Sequence, residues 1–151
     1  MTAQINYFLN KASEVEFTQF FNSENNEFWF FLESSIDRVN YIKKIFDNAV
    51  KFEAWYNDHL IGVLAFYSND KKYLMAYISA ISVIKSFQGM GVSSQLMKRC
   101  ICYLENNGMF LINLQVLKSN FRAIKLYEKF GFKTTEEGNS VIKMTLHLKE
   151  F

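Results

Sequence analysis

Residues 77–94 decide the fold, and they read Tyr-Ile-Ser-Ala-Ile-Ser-Val-Ile-Lys-Ser-Phe-Gln-Gly-Met-Gly-Val-Ser-Ser. An apolar, β-rich run ends near Val83, a short polar loop with Gly89 and Gly91 follows, and a helical pattern then begins. The first amides of a helix lack partners inside it, and the helix dipole adds positive charge there. Glycine removes the Cβ atoms that would block a close backbone approach. The stretch therefore predicts a strand, a turn and a helix that bind a phosphate or pyrophosphate.

The composition predicts a single domain over residues 1–151, because half of the residues are apolar and can form one sizeable core. No apolar run reaches the roughly 18 residues of a membrane span, and the N-terminus lacks a signal-peptide pattern. We therefore expect a cytoplasmic protein without a membrane partner. Cys100 and Cys102 match neither a zinc nor a redox motif, and the two histidines lie far apart, so we expect no metal site.

The net charge of +2 is too small to indicate a nucleic-acid partner, but the charges are unevenly distributed. Residues 1–84 carry 7 Lys and Arg against 10 Asp and Glu, whereas residues 85–151 carry 10 against 5. A cationic half suits a polyanionic cofactor, and an acidic half suits a cationic substrate. Ordinary scatter of solvated charges accounts for the same numbers equally well.

Runs rich in β-branched and aromatic residues predict the strands. They cover residues 4–9, 50–56, 60–67, 73–83, 110–117, 132–136 and 140–148. The strand, helix and strand between residues 73 and 117 favour a parallel pair joined by a right-handed crossover.

Capping residues and apolar spacing predict four helices. Ser13 and Glu16 form a capping box before the first, Ser35 or Asp37 caps the second, and Ser119 or Asn120 caps the last. The helix after the glycine loop is predicted to stop at residues 107–108. Two inner faces are predicted, one of Val39, Ile42, Ile45 and Phe46, the other of Leu96, Cys100, Tyr103 and Leu104.

The run Phe28-Trp29-Phe30-Phe31-Leu32 is unusually aromatic. It either lines a substrate pocket, joins the core or contacts a second copy of the chain, because large aromatic side chains are mostly buried for packing. A homodimer through this run or through the last strand is therefore one option.

The glycine loop does not match two common phosphate-binding motifs. A P-loop needs a Gly-Lys dipeptide, and the sequence contains none. A dinucleotide fingerprint needs a third glycine where Ser94 stands, and an acidic residue that the strand ending Leu114-Gln115-Val116 lacks. A nucleotide-binding oxidoreductase is therefore a third hypothesis, which predicts binding of NAD in preference to CoA.

A different pattern fits the loop. Gln88-Gly89-Met90-Gly91-Val92-Ser93 resembles the Q/R-x-x-G-x-G/A signature of the GNAT acetyltransferase superfamily, with Ser93 in place of the last Gly or Ala. Residues 114–132 resemble the second family motif, with Asn120 at a helix start, then Ala123-x-x-x-Tyr127 and a Gly-Phe pair. The resemblance covers about residues 50–148.

The resemblance implies an α/β (α+β) single-domain GNAT fold, with about four helices and a mixed sheet of about seven strands. Its fourth and fifth strands, here residues 73–83 and 110–117, would splay apart around acetyl-CoA. Asn120 would contact the cofactor arm, although it also fits a simple N-cap. The arm would pair with the backbone of Ile81, Ser82 and Val83, and the amides of Gly89, Met90, Gly91, Val92, Ser93 and Ser94 would hold the pyrophosphate. Gln88 would also belong to the cofactor site, although it fits a surface loop residue as well.

The chemistry implied is direct transfer of the acetyl group to a primary amine. Tyr127 would protonate the departing thiolate, and a strand amide near Val83 would stabilise the oxyanion. The base is less well defined, because residues 77–83 and 111–117 contain no carboxylate. Glu53 is the nearest acidic candidate, Tyr77 and ordered water are others, and Glu53 also fits a solvated strand residue.

The acceptor expected from the overall pattern is a small molecule such as an amino sugar. Two alternatives stay open. One is a protein or peptide N-acetyltransferase, and the other is a non-catalytic acyl-CoA-binding or regulatory domain, which the missing strand carboxylate suggests.

Overall fold

The computed structural model describes residues 4–32 and 35–148, and within them the chain forms a seven-stranded sheet with helices on both faces. Two short 3₁₀-helices, Phe28–Phe31 and Lys85–Phe87, lie in the connections. The remaining elements are β1 (Ile5–Leu9), α1 (Glu14–Asn22), α2 (Arg38–Asn48), β2 (Val50–Tyr56), β3 (His59–Tyr67), β4 (Met75–Val83), α3 (Val92–Asn106), β5 (Leu111–Leu117), α4 (Phe121–Lys129), β6 (Lys133–Glu137) and β7 (Val141–His147).

The sheet has the strand order β1-β2-β3-β4-β5-β7-β6, and its neighbours are antiparallel except for β4 and β5. The parallel pairing predicted for the strands on either side of α3 is therefore confirmed. Both predicted hairpins, β2–β3 and β6–β7, are also present. The predicted mixed α/β architecture is therefore confirmed.

The two parallel strands separate after three residue pairs. Met75, Ala76 and Tyr77 pair with Leu111, Ile112 and Asn113, and the described register contains no β4–β5 pair beyond them. Each strand nevertheless continues, β4 to Val83 and β5 to Leu117. The predicted splay is thus present, and beyond residues 77 and 113 the facing edges of the two strands do not pair with each other.

A bulge lies on β4 where the splay begins. Ala65 pairs with Ala80 and Phe66 pairs with Ile78, so Ser79 is an extra residue between them. A bulge bends its strand and increases the local twist. It therefore helps to turn the second half of β4 away from β5.

Side-chain caps fix where three helices begin. Ser13 and Glu16 form the predicted capping box at α1, and the Asp37 side chain accepts a bond from the Asn40 amide at α2. Asn120 is the N-cap of α4, where its side chain accepts from the Ala123 amide. Of the paired alternatives, Asp37 and Asn120 are therefore the caps.

Each face of the sheet has its own core. One cluster packs Leu96, Cys100 and Leu104 of α3 against the sheet, and the other packs Phe17 and Phe21 of α1 with α2. Within the described residues, no helix has the length and hydropathy to cross a membrane. Both faces are thus covered, and the gap between β4 and β5 is the opening into the sheet.

The predicted inner face of α2 is partly wrong. Ile42 and Ile45 are buried, but Val39 is 76% exposed. Val39 lies in the first turn of α2, one turn before the buried interface begins at Ile42. Apolar spacing alone does not reveal where a helix first meets its neighbours.

Candidate functional site

A cleft of about 890 Å³ occupies the gap between β4 and β5. Its walls come from the second half of β4, the glycine loop, the start of α3, β5, α4 and the segment before α2. Met90 and Glu53 are not among its lining residues. The cleft brings together the other predicted site residues, namely Ile81, Ser82, Val83, Gln88, Gly89, Gly91, Val92, Ser93, Ser94, Asn120 and Tyr127.

The glycine loop places the N-terminus of α3 at this cleft, and we call that N-terminus bare because no side chain caps it. Gly89 and Gly91 have φ values of +80° and +79°, and Gly91 is the N-cap of α3 without any side-chain cap bond. A Cβ at either glycine would meet no protein atom within 4 Å. Both positions therefore require glycine for backbone conformation, while the space beside them is open to a ligand.

Gln88 connects the end of β4 with the start of α4. Its Nε2 donates to the Val83 carbonyl at 3.1 Å, and its Oε1 accepts from Arg122. Gln88 is therefore a positioned residue of the cleft rim. Arg122 was missed as a site residue because its partner lies 34 positions away, and only the positive charge of the second half pointed to it.

A second cation, the side chain of Lys129 at the end of α4, reaches the first turn of α3. Its Nζ donates to the Ser94 hydroxyl at 3.0 Å. Arg122 and Lys129 thus add positive charge to the positive end of the α3 dipole. Met90, in contrast, is 50% exposed, and only its backbone can serve the loop.

Tyr127 points from α4 into the cleft. Its side chain is 5% exposed and packs against the Phe132 ring with centroids 5.7 Å apart. No residue in the ranges 4–32 and 35–148 hydrogen-bonds its hydroxyl. Burial, with a smaller contribution from Tyr77, raises the pKa of Tyr127. The phenol is therefore a neutral donor at neutral pH, with its proton available to a molecule in the cleft.

Two further tyrosines lie at the bulge. The Tyr41 hydroxyl donates to the Ser79 carbonyl at 3.2 Å, and burial raises the pKa of Tyr41. Tyr77 also lines the cleft, and burial raises the pKa of its phenol although the residue is 40% exposed. Tyr41 was missed at the sequence level, because nothing in its local pattern links it to β4.

The aromatic run serves both the core and the cleft. Phe28 and Trp29 pack at a ring distance of 5.3 Å, and both contact the Tyr41 ring. Phe28, Phe31 and Leu32 also line the cleft. The pocket and core interpretations of this run are therefore both supported.

Asn26 ties the aromatic run to β4. Its Oδ1 accepts from the Phe28 amide at 2.9 Å and from the Ser82 hydroxyl at 2.7 Å. The side chain is buried, and its Nδ2 donates to the Phe20 carbonyl. Ser82, predicted as a cofactor contact through its backbone, thus uses its side chain to hold the opposite wall.

Glu53 lies outside the cleft in a buried network. It is 0% exposed, and its Oε1 accepts from the Ala12 amide at 2.9 Å, the Lys11 amide at 3.2 Å and the Trp55 Nε1 at 2.9 Å. Burial raises the pKa of Glu53, while these donors act in the opposite direction. The expectation of a solvated strand residue is therefore wrong, and the structure does not bring Glu53 together with Tyr127.

The sequence matches the Acetyltransferase (GNAT) family over residues 11–132. A 66-residue segment is 35% identical to the uncharacterized N-acetyltransferase YobR of Bacillus subtilis, covering 44% of this chain and 27% of that protein. The N-alpha-acetyltransferase MAK3 of Arabidopsis thaliana is 29% identical over 54% of this chain and 43% of its own length. A protein named "Probable spermine N(1)-acetyltransferase" from Bacillus subtilis subsp. natto is 29% identical, and 52% of each chain is covered. The matches thus span about half or less of each relative.

Solved structures have the same fold. An acetyltransferase of the GNAT family from Staphylococcus aureus Mu50 superimposes with a TM-score of 0.79 at 18% identity. The superposition covers 97% of this chain and 100% of the Staphylococcus aureus chain. A streptothricin acetyltransferase candidate from Bacillus anthracis, solved with acetyl coenzyme A, has a TM-score of 0.59 at 27% identity, over 66% of this chain and 62% of its own. With its family match, its splayed sheet and its glycine loop, this chain belongs to the GNAT acetyltransferase family.

Proposed function

We propose that this chain transfers the acetyl group of acetyl-CoA directly to the primary amine of a small molecule. One observation carries the proposal: a single cleft gathers the bare α3 amides, the unpaired edge of β4 and the Tyr127 side chain. The family uses acetyl-CoA, and the Bacillus anthracis relative was solved with it.

The residues of the cleft fit coenzyme A in two places. The α3 N-terminus offers amides without intrahelical partners, and Arg122 and Lys129 stand beside it, so a diphosphate is stabilised there. The β4 edge beyond Tyr77 does not pair with β5. Its backbone groups that Tyr41 and Gln88 do not occupy can pair with the amides of the pantetheine arm as a further strand does. Val83 and Gln88 join these two regions through their 3.1 Å bond.

The reaction forms a nitrogen–carbon bond, breaks the carbon–sulfur bond of the thioester and moves one proton from nitrogen to sulfur overall. Tyr127 is the donor to the sulfur, because a positioned phenol gives its proton to the departing thiolate more readily than water does. The phenolate then regains a proton through water in the cleft, which receives the proton of the amine. An unpaired amide of residues 79–83 stabilises the negative charge that develops on the carbonyl oxygen. No side chain needs to be acylated, so Cys100, which is buried, has no role.

Removal of the amine proton does not use Glu53 in this proposal, since its carboxylate is held by Ala12 and Trp55. Among the described residues that line the cleft, Glu27 carries the only carboxylate. Water in the open cleft carries the proton away, and Tyr77 lies where it can hydrogen-bond such water.

The test is calorimetric titration with acetyl-CoA followed by an amine panel that includes glucosamine, spermine, amino-acid amides and peptides, with CoA thiol release as the readout. We expect binding of acetyl-CoA and thiol release that depends on an amine. Binding without thiol release for any amine would replace the proposal with an acyl-CoA-binding domain. Absence of binding would overturn the proposal altogether.

A further inference from the structure

We infer that the acceptor is a weakly basic α-amine attached to an apolar side chain, as in the amide of an aromatic amino acid or the first residue of a peptide. The inference rests on the proposed function and names the substrate class of the same cleft. Three observations carry it: the chemistry of one cleft wall, the way this wall is fixed to β4 and the absence of a carboxylate from the described parts of β4 and β5.

The acceptor wall consists of Phe28, Phe31, Leu32, Ile36, Tyr41 and Tyr77. Four of these six side chains are hydrocarbon, and the Tyr41 hydroxyl already donates a hydrogen bond to the Ser79 carbonyl. The charged residues among the described lining residues are Glu27 and Arg122, and Arg122 belongs to the cofactor end. A polyhydroxylated sugar would find few hydrogen-bond partners on this wall, whereas an apolar side chain is buried favourably there.

The wall is held against the part of β4 that is proposed to present the acetyl group. Tyr41 binds Ser79 at 3.2 Å, and Asn26 links Phe28 to Ser82 through bonds of 2.9 and 2.7 Å. These two side-chain ties flank residues 80 and 81. When the apolar side chain of an acceptor packs on this wall, the contact fixes the distance between the amine of that acceptor and β4. Such positioning of the reacting groups is a large part of catalysis.

The basicity of the acceptor follows from the missing strand carboxylate. At pH 7.5 an α-amine of pKa about 7.8 is roughly one-third neutral, whereas an alkylamine of pKa about 10.4 is roughly 0.1% neutral. Glu27 precedes the 3₁₀-helix and is not on β4 or β5. The other titratable side chains that line the cleft near β4 are the phenols of Tyr41, Tyr77 and Tyr127. Because neither β4 nor β5 carries a carboxylate beside the proposed acetyl position, the cleft favours the amine that arrives neutral.

Four amines separate these features when kcat/KM is measured at saturating acetyl-CoA. Phenylalaninamide has both features, 2-phenylethylamine keeps the ring but is a stronger base, glycinamide keeps the α-amine but lacks the ring, and glucosamine replaces the ring with hydroxyls. We expect phenylalaninamide to exceed each of the others by roughly tenfold or more. Its advantage over 2-phenylethylamine should shrink by roughly 30-fold between pH 7.5 and pH 9.5, as the alkylamine becomes neutral.

Two adjacent phenylalanines give a matched pair of variants. Phe31 lines the cleft, whereas Phe30 is 76% exposed and is not among the lining residues. Phe31→Ala should lower kcat/KM for phenylalaninamide by roughly tenfold, Phe31→Leu by less, and Phe30→Ala should leave it unchanged. Equal effects of Phe30→Ala and Phe31→Ala would overturn the inference.

A peptide with amino-terminal phenylalanine tells the two sources of this chemistry apart. Faster acetylation of the peptide than of phenylalaninamide assigns the site to polypeptide amino termini and replaces the small molecule of the proposed function with a peptide. The reverse result assigns the site to amino-acid derivatives. Both results support the inference. Preference for glucosamine or 2-phenylethylamine would overturn the inference and leave the proposed function standing. Absence of thiol release with every amine would overturn both.

Discussion

Replacement of Tyr127 by phenylalanine tests the chemistry of the cleft without disturbing its shape. The ring packs against Phe132, and phenylalanine keeps that contact. Because no described residue hydrogen-bonds the hydroxyl, its removal breaks no bond within residues 4–32 and 35–148. We therefore expect a free energy of unfolding within about 0.5 kcal/mol of the original, which is less than one typical hydrogen bond.

The activity should respond very differently. A positioned acid contributes about 10²- to 10⁴-fold to a rate, and a 100-fold loss corresponds to about 2.7 kcal/mol of transition-state stabilisation. Turnover of Tyr127→Phe should thus fall by at least about 100-fold. The affinity for acetyl-CoA should change by less than about threefold, because the proposed phosphate and pantetheine contacts do not involve Tyr127.

The assay is thiol release under saturating substrates, with affinity measured by calorimetry and stability by urea unfolding. Tyr103→Phe is the matched control, since Tyr103 is a helical tyrosine that packs against Phe52 and Phe66 outside the cleft. It should keep full turnover. Equal turnover of the Tyr127 variant and the original protein would refute the assignment of Tyr127 as the acid.

Three other predictions follow from the same contacts. Glu53→Ala should destabilise the fold by about 3 kcal/mol in urea unfolding, because it leaves the buried Ala12 amide and the Trp55 indole without an acceptor. Glu53→Gln keeps an acceptor oxygen and should keep full turnover. Loss of activity in a stably folded Glu53→Gln variant would restore Glu53 as the base. Gly91→Ala should lower the free energy of unfolding by about 1 kcal/mol, since the space is open and only the φ of +79° is unfavourable; an unchanged midpoint would contradict this. Activity should rise with pH as the acceptor amine loses its proton. It should not fall near pH 10, because burial raises the pKa of Tyr127 and keeps its phenol protonated at that pH. A fall in activity near the ordinary pKa of tyrosine would count against Tyr127 as the acid.

The sequence predicted those parts of the site that depend on local order along the chain. The strand, glycine loop and helix of residues 77–94 could be predicted because helix starts and left-handed glycines have local signatures. The Asn120 cap and the parallel β4–β5 pair follow from spacing and connection rules in the same way.

The rest depends on contacts between distant residues. The Ser79 bulge depends on the register with β3, and the Tyr41–Ser79 and Gln88–Arg122 contacts join positions 38 and 34 residues apart. Glu53 illustrates the same limit, because its charge suggested solvent while the turn at Lys11 supplies donors from 42 positions away. Such partners are set by tertiary packing, which no local pattern encodes.

The bare N-terminus of α3 is proposed to hold the diphosphate of acetyl-CoA, and calorimetry with the original protein and with Ser93→Asp measures this binding. An acidic residue in the first turn stabilises a helix by about 0.3–1 kcal/mol, so the variant should fold at least as well. It also places a negative charge beside the proposed position of the diphosphate. We expect one acetyl-CoA to bind per original chain and no measurable heat with Ser93→Asp. Equal binding by both proteins, or by neither, would contradict it.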